Sequence, residues 1–221
     1  MSQPYRLITE RYAHEGAVRS LASGVDGSII SGCQADSPNV RRWELAASSE
    51  HSLPDFKELG SAINHDHWVT AVTSLAANVN ETYPQGVFIT GCLDCKIRVY
   101  DNNTQALLLT IDGHTKGVIS FSWTDKHKLI SGSWDGTARI WDLDLAGACL
   151  MELKGHENGV SVLGLANDFM LTTSTGESVN NQPANFKLRM WQCRTGKQVG
   201  KELEPHRYES PPPPTRPSFP P

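Results

Sequence analysis

The residues with the clearest capacity for chemistry are the pair in Cys92-Leu93-Asp94-Cys95, whose spacing suits a thiolate metal site or a redox couple. A structural zinc site needs a second such pair, and the remaining cysteines stand alone. His156-Glu157 begins a zinc-protease pattern, but Val160 occupies the place of the second metal ligand. The sequence contains no Gly-x-Ser-x-Gly nucleophile turn and no Gly-x-x-x-x-Gly-Lys phosphate loop. It therefore predicts neither an enzyme nor a metal or cofactor site.

Charge and hydropathy exclude several further classes of protein. Twenty Lys and Arg against 24 Asp and Glu give a net charge of −4, whereas a nucleic-acid-binding protein usually carries excess basic charge. No apolar run approaches the roughly 18 residues that span a bilayer, and the first residues lack a signal-peptide pattern. Five cysteines at irregular spacings are typical of reduced thiols. We therefore expect a cytoplasmic or nuclear protein whose partners include neither nucleic acid nor membrane.

Four segments of the chain share one template. Each opens with a histidine, has a valine four residues later and an apolar residue seven residues later, and runs to an aromatic residue. The four sets are His14, Val18, Leu21 and Trp43; His65, Val69, Val72 and Tyr100; His114, Val118, Phe121 and Trp141; and His156, Val160, Leu163 and Trp191. The histidines are 51, 49 and 42 residues apart, and a period of about 40–45 residues is typical of the four-stranded blades of a WD-repeat propeller. Loop insertions at 46–61 and 78–85 would explain the longer spacings.

The third segment shows the local pattern most clearly. Asp135-Gly136 lies between two strand-like runs, and this pair favours a tight hairpin because both central turn positions need positive φ. The step of three residues from Val118 to Phe121 breaks the alternation of a strand. The sequence therefore predicts a bulge in the innermost strand of each blade, near Ile119-Ser120 in the third.

The segments resemble WD repeats, in which the opening histidine, a Ser or Thr of the second strand, the turn Asp and a strand-closing Trp form one buried network. An unpaired polar group between packed blades would cost about 1–3 kcal/mol, so each member needs a partner. The resemblance assigns this network to His14, Ser31, Asp36 and Trp43; His65, Thr90 and Asp94, with Tyr100 in place of Trp; His114, Ser131, Asp135 and Trp141; and His156, Thr172 and Trp191. An insertion at 176–185 takes the place of the turn Asp in the fourth repeat, so we expect that blade to be the least well tied. The opening histidines are thus interpreted as structural.

The predicted fold class is all-β: an incomplete WD-repeat β-propeller with about four blades visible of roughly seven expected. The blades would occupy 1–204, with a clasp strand at 5–11 and repeats at about 12–45, 63–110, 112–153 and 154–203. Seven of the 13 prolines lie in 211–221. Because proline donates no ladder hydrogen bond, 205–221 is predicted to be a disordered tail that builds no further blade. Its P-x-x-P spacings would alternatively suit an SH3-like groove.

Three signatures narrow the resemblance. They are Tyr5-Arg6-Leu7 ahead of the run from His14 to Leu21, Tyr83-Pro84-x-Gly86 followed by Thr90-Gly91, and the run from Ser131 to Trp141. Over about residues 5–165 the sequence is similar to the N-terminal propeller of the phospholipase A-2-activating protein family, which includes the yeast ubiquitin-fusion-degradation factor. The resemblance implies a non-catalytic adaptor that binds ubiquitin or ubiquitinated proteins in ubiquitin-dependent protein turnover. In the family, a C-terminal domain docks on the ubiquitin-selective AAA ATPase segregase, and we expect this chain to lack that part.

Partner binding is expected on the face formed by the loops of the opening histidines and turn aspartates. The sequence places six candidates there: Arg19, Trp68, Thr70, Leu93, Lys116 and Trp134. Aromatic and Arg side chains carry most of the energy of typical interfaces, which favours the two tryptophans as anchors. Family members tend to carry Asp just before the first valine, where this chain has Ala17. Two alternatives stay open: a scaffold for another complex, in signalling or RNA processing, and a truncated fragment without function.

Overall fold

The regular secondary structure of the described residues is almost entirely β-strand. The computed structural model describes residues 12–35, 38–46, 55–79, 81–124, 127–175 and 187–203. Those residues form sixteen strands and one short 3₁₀ turn, arranged in four sheets. The first sheet contains β1 (Ala17–Ser23), β2 (Ile29–Gln34), β3 (Val40–Ala46) and β4 (Asp55–Glu58); the second contains β5 (Val69–Leu75), β6 (Val87–Cys92), β7 (Ile97–Asp101) and β8 (Leu107–Ile111). The third contains β9 (Val118–Trp123), β10 (Leu129–Ser133), β11 (Ala138–Asp142) and β12 (Ala148–Leu153), with the 3₁₀ turn Leu143–Leu145 before β12; the fourth contains β13 (Gly159–Gly164), β14 (Phe169–Thr175), β15 (Leu188–Gln192) and β16 (Gln198–Leu203).

Each sheet is an antiparallel meander whose strands are hydrogen-bonded in chain order. The innermost strands β1, β5, β9 and β13 pack against one another in succession, so each sheet faces the next. This is the arrangement of propeller blades, and it confirms the predicted fold class. The expected clasp strand at 5–11 and the proline-rich tail at 205–221 lie outside the described residues. Across the described ranges, no helix is long and apolar enough to cross a membrane.

The apolar core lies between neighbouring blades. Its three clusters are centred on Ile30 with Val69, Ile89 with Val118, and Ile130 with Val160. The opening valines, those that follow the opening histidine by four residues, are 0% exposed in the second, third and fourth blades. The equivalent Val18 of the first blade is 43% exposed. The difference arises because each later valine packs against a preceding sheet, and no described sheet covers Val18.

A glycine on the second strand lets the next blade approach closely. A Cβ on Gly32 or Gly91 would lie 2.7 Å from a methyl carbon of the next opening valine. A Cβ on Gly132 would lie 2.0 Å from the carbonyl oxygen of Val160. The fourth blade carries Thr173 at the equivalent position, directly after its network hydroxyl residue. The close inter-blade contact is therefore a property of the first three blades.

Replacing Gly132 with alanine should separate the third blade from the fourth. The added methyl would collide with backbone, which cannot rotate away as a side chain can, so we expect a loss of about 1–3 kcal/mol in unfolding free energy. Chemical denaturation followed by tryptophan fluorescence measures this loss. Thr173→Ala is the matched control and should change stability by less than about 1 kcal/mol. Equal losses in the two variants would contradict the steric role of the glycine.

Hydroxyl groups of the innermost strands add polar links between blades. Ser20 Oγ accepts a hydrogen bond from an amide of β5 at 2.9 Å. Ser120 Oγ donates to the carbonyl oxygen of Val160 at 3.0 Å, and Ser122 Oγ accepts from the amide of Gly164 at 2.8 Å. These side chains satisfy backbone groups that face the neighbouring sheet, which unpaired would be costly.

The predicted bulge is confirmed in the first three blades and is wrong for the fourth. The register of the innermost strand shifts at one residue after the opening valine, Arg19 in the first blade, Thr70 in the second and Ile119 in the third. In contrast, β13 pairs with β14 from Gly159 to Gly164 without a shift. Because no extra residue is accommodated, Leu163 turns to the opposite side and is 54% exposed. Val162 packs against the core instead.

The first blade differs from the predicted repeat bounds. The stretch at 46–61, expected to be an insertion, contains the strand β4, which pairs with β3 from Trp43 opposite Glu58 to Ala46 opposite Asp55. The first sheet therefore extends to Glu58. Its sequence, Asp-Phe-Lys-Glu, is short and charged, which is common for an edge strand and hides it from an apolar pattern.

Candidate functional site

The third blade holds a four-residue hydrogen-bond network. Ser131 Oγ accepts from Trp141 Nε1 at 2.7 Å and lies 2.7 Å from His114 Nε2. The other ring nitrogen, His114 Nδ1, is 2.8 Å from Asp135 Oδ2. If the serine hydroxyl donates to Nε2, then Nδ1 carries the ring proton and donates it to the carboxylate. The network joins the segment before β9, two strands and the hairpin between them.

Electrostatics favour a neutral histidine and an ionised aspartate in this network. Burial lowers the pKa of His114, although its bond to Asp135 opposes the shift. Burial alone would raise the pKa of Asp135, but hydrogen bonds from the Thr137 hydroxyl, the Thr115 amide and His114 outweigh it and lower that pKa to about 2. The carboxylate is thus a fixed acceptor that orients the imidazole, and the group is structural.

The second blade has a modified network. His65 Nε2 is 2.8 Å from Thr90 Oγ1, and the Tyr100 hydroxyl lies 3.4 Å from the same nitrogen. Asp94 is not brought to the histidine; its carboxylate accepts from Arg98 Nη2 at 2.6 Å and from a backbone amide. Burial, assisted by the nearby Arg98 charge, lowers the pKa of His65 to about 4. The expected fourfold network is therefore split into two parts here.

The first blade repeats the central part of the network. His14 Nε2 lies 2.7 Å from Ser31 Oγ, which accepts from Trp43 Nε1 at 2.8 Å. Burial lowers the pKa of His14, with the Arg41 charge acting in the same direction. Asp36, predicted as the fourth member, lies outside the described residues.

In the fourth blade, for which we expected no turn aspartate, a serine takes the role of that residue in the network. His156 Nε2 is 2.7 Å from Thr172 Oγ1, which accepts from Trp191 Nε1 at 2.8 Å. Ser174 Oγ lies 2.8 Å from His156 Nδ1 and completes the network. Sequence reasoning missed Ser174, yet it follows Thr172 by two residues and so shares its face of the strand. Both ring nitrogens of this histidine have partners, so the blade is better tied than expected.

The cysteine pair has the surroundings of inert thiols. Cys92 is buried at the end of β6, and its Sγ lies 3.2 Å from the carbonyl oxygen of His67. Burial raises the pKa of the Cys92 thiol to about 11, which keeps it protonated and poorly nucleophilic. Within the described ranges, no group of three or more His, Cys, Asp or Glu side chains is arranged to hold a metal ion.

Three predicted partner-binding residues lie along one continuous surface. The amide of Leu93 donates to the carbonyl of Trp68 at 3.0 Å, and the amide of Trp134 donates to the carbonyl of Gly117 at 2.9 Å. Gly117 abuts Leu93 so closely that a Cβ there would lie 2.3 Å from Leu93 Cδ2. We call the surface formed by Trp68, Leu93 and Trp134 the upper patch; Gly117, which is buried, links Leu93 to Trp134. It runs from the second blade to the third, and Trp134 is 40% exposed on it.

The other predicted candidates have mixed roles. Lys116 is exposed beside the upper patch, directly before Gly117. Arg19 is exposed on the first blade, where its Nε donates to Gln34 Oε1 at 2.8 Å. The hydroxyl of Thr70 donates to the carbonyl of Val118, so this residue serves the contact between blades.

Two exposed residues beside the patch were not predicted. His67 precedes Trp68, accepts its amide hydrogen on Nδ1 at 2.8 Å and packs edge-on to its ring at 5.5 Å. Asp66 supplies an exposed carboxylate one residue earlier. Asp66 and His67 are the first two residues after the opening histidine of the second blade. This position in the repeat could have identified them from the sequence.

The four-stranded blades with their His–Ser/Thr–aromatic networks define the fold class, a β-propeller with WD-type repeats. The family profile described as "WD domain, G-beta repeat" matches residues 57–101 and 105–142. Among solved structures, "Structure of U3-55K" aligns with a TM-score of 0.61 and 18% identity, covering 85% of this chain and 52% of that chain. At that identity the likeness concerns the fold alone.

The predicted resemblance to one family is confirmed. The chain is similar to phospholipase A-2-activating protein of Xenopus laevis, with 35% identity over 118 residues, 51% of this chain and 14% of that protein. It is also similar to cell division control protein 4 of Saccharomyces cerevisiae, with 34% identity over 99 residues, 45% of this chain and 12% of that protein. Pre-mRNA-processing factor 19 of Bos taurus is 35% identical over 89 residues, 39% of this chain and 18% of that protein. The matches thus span less than a fifth of each of these three relatives.

Proposed function

We propose that this chain binds ubiquitin, or ubiquitinated proteins, through the upper patch and acts as a non-catalytic adaptor in ubiquitin-dependent protein turnover. The likeness to WD-repeat proteins supports the general role of protein interaction. The observation that carries the site is the continuity of the patch across two blades. The resemblance to the phospholipase A-2-activating protein family supports ubiquitin as the partner.

The patch is built as a rigid surface. The backbone bonds between Leu93 and Trp68 and between Trp134 and Gly117 fix the two loops that carry the tryptophans. The loop of Trp134 is also held from below, because the following residue is Asp135 of the buried network. A preordered surface loses little conformational entropy on binding, which favours affinity.

The composition of the patch suits a partner with an apolar patch ringed by basic residues, as ubiquitin presents. Aromatic side chains provide the apolar contact that dominates interface energetics. Asp66 lies beside Trp68 as an exposed carboxylate, and Glu15 occupies the equivalent exposed position on the first blade. These acidic groups supply charge complementarity at the rim, although Ala17 replaces the family's aspartate.

Alanine substitution of the patch tryptophans tests the proposal. Trp68→Ala and Trp134→Ala should each weaken binding of monoubiquitin by about 1–2 kcal/mol, roughly 5- to 30-fold in Kd. Isothermal titration calorimetry or NMR titration with labelled ubiquitin measures the change. Leu163→Ala, an exposed apolar residue of the fourth blade, is the control and should bind normally.

Thermal melting of each variant separates loss of binding from loss of fold. Unchanged affinity in both tryptophan variants would remove the upper patch from the interface. A folded wild-type chain that binds no ubiquitin would leave only the scaffold role, with the partner to be sought among other complexes.

The proposed location is the cytoplasm or nucleus. Cys33, Cys92, Cys95 and Cys149 are free thiols, and Cys149 is exposed. Free thiols in this number favour a reducing compartment.

A further inference from the structure

Within the described residues, the outermost strand of each blade has one edge that pairs with no further strand. In the described part of the chain, β4, β8, β12 and β16 each end their sheet and pair on one side only. Such an edge offers a row of backbone donors and acceptors to any further strand. Natural proteins usually protect edges with charged residues or proline.

Of these four strands, β8 alone carries no charged residue. The others contain Asp55, Lys57 and Glu58 in β4, Glu152 in β12, and Lys201 and Glu202 in β16. The sequence of β8 is Leu-Leu-Leu-Thr-Ile. Leu107 is 52% exposed and Leu108 is 46% exposed. This strand therefore lacks the protection that the other edges have.

The turn before β8 holds the strand in a defined position. The amide of Asp101 donates to the carbonyl of Ala106 at 2.9 Å, which closes the turn. The Asp101 carboxylate accepts from the amides of Asn103 at 3.0 Å and Thr104 at 2.7 Å. A fixed edge is a better pairing template than a frayed one, because less conformational entropy is lost when a partner strand adds.

The apolar surface continues from β8 to the third blade. Gly147 sits against Leu109 and Ile111, since a Cβ there would lie 3.2 Å and 2.6 Å from their side-chain carbons. Two further exposed leucines, Leu145 and Leu150, lie close to Gly147 in the sequence of that blade. A strand added to β8 would therefore find apolar contacts on one side of the sheet.

We propose that β8 is the pairing strand of a symmetric dimer, in which β8 of a second copy adds antiparallel and extends the second sheet from four to eight strands. Pairing centred on Leu109 sets Leu107 opposite Ile111 and Leu108 opposite Thr110. No like charges meet in this pairing, and each apolar cross-strand pair contributes roughly 0.2–1 kcal/mol. The same self-pairing of β4 would set Asp55 opposite Glu58, which repulsion disfavours. The uncharged edge is thus complementary to its own copy, and this inference does not depend on ubiquitin binding.

Sedimentation velocity of the full chain tests the proposal at protein concentrations from about 1 μM to 1 mM, a range set by the modest pairing energy. We expect the wild type to shift from its 24.3 kDa monomer toward the dimer as concentration rises. Leu108→Lys should lower the association constant at least tenfold, and Thr110→Lys provides a second disruption on the same strand. Leu163→Lys, equally exposed on β13, is the control and should associate like the wild type.

Hydrogen exchange adds a local readout. In the dimer, amide protection over 107–111 should rise with protein concentration, while protection of the other outer strands should stay constant. A wild type that remains monomeric over the whole range would overturn the proposal. So would a dimer that persists unchanged in both lysine variants, or a monomer that takes up only an unrelated apolar peptide on β8.

Discussion

Trp141→Ala should reduce the free energy of unfolding by about 3–5 kcal/mol, the range typical of large aromatic truncations in a core. The side chain of Trp141 is 1% exposed and belongs to the cluster between the second and third blades. Its loss would open a cavity there and remove the hydrogen bond to Ser131. The ring also stands edge-on to His114 at 5.8 Å, so the imidazole would lose a packing surface. Urea denaturation followed by circular dichroism measures the difference.

Two matched variants separate the contributions to this effect. Trp141→Phe keeps most of the apolar contact but deletes the Nε1 donor, so its loss should be smaller than that of the alanine variant, with about 1 kcal/mol from the hydrogen bond. Trp134→Ala removes the exposed tryptophan of the same blade and should cost less than about 1 kcal/mol. Comparable destabilisation by Trp141→Ala and Trp134→Ala would refute the division between a structural and a surface tryptophan.

Acidification should destabilise the fold through His65, by up to about 3 kcal/mol from this residue. Its pKa is lowered from 6.5 to about 4 in the folded chain, chiefly by burial. Between these values the unfolded chain binds a proton that the folded chain excludes. The stabilisation from neutral His65 is therefore complete above about pH 6.5 and is lost progressively as the pH falls toward 4. Denaturation curves at several pH values across this interval measure the slope.

The variant His65→Gln isolates the contribution of this residue. Glutamine retains a group that can hydrogen-bond to Thr90 but does not titrate, so its stability should depend less steeply on pH below 6.5. His14 and His114 also have lowered pKa values and shift stability in the same direction, and they remain in both proteins. Parallel pH profiles of the wild type and His65→Gln would show that His65 is not the source.

Spacing and residue type predicted the blades because these features reflect direct physical requirements. The Asp135-Gly136 hairpin forms, but only Gly136 adopts positive φ, at 81°, so the prediction that both central turn residues have positive φ is wrong for Asp135. The opening histidines need buried partners, and that need selects Ser131 and Thr172 on the second strands. Requirements of this kind act between residues that are close in the sequence, so they can be recognised from the amino-acid sequence alone.

The missed features depend on neighbours that the sequence does not specify. Asp94 occupies the expected turn, but its carboxylate forms an ion pair with Arg98 and does not bond to His65. The strand β4 forms by pairing with the edge of β3. The residues of β4 are too polar for a strand to be predicted from the sequence. The fourth blade has Thr173 on β14 and no bulge in β13. A template common to all four repeats does not contain this difference.

The two ends of the row of blades do not match each other. The valines equivalent to Val18 in the later blades pack closely against the preceding blade, at a glycine of its second strand. The fourth blade has Thr173 at the position of that glycine. A head-to-tail contact between copies would drive the first blade of one against the side chain of Thr173 in the other. Repeated head-to-tail contacts that do not close produce open filaments. Thr173 therefore disfavours such a contact, because a side chain occupies the position at which glycine allows the close approach between the described blades.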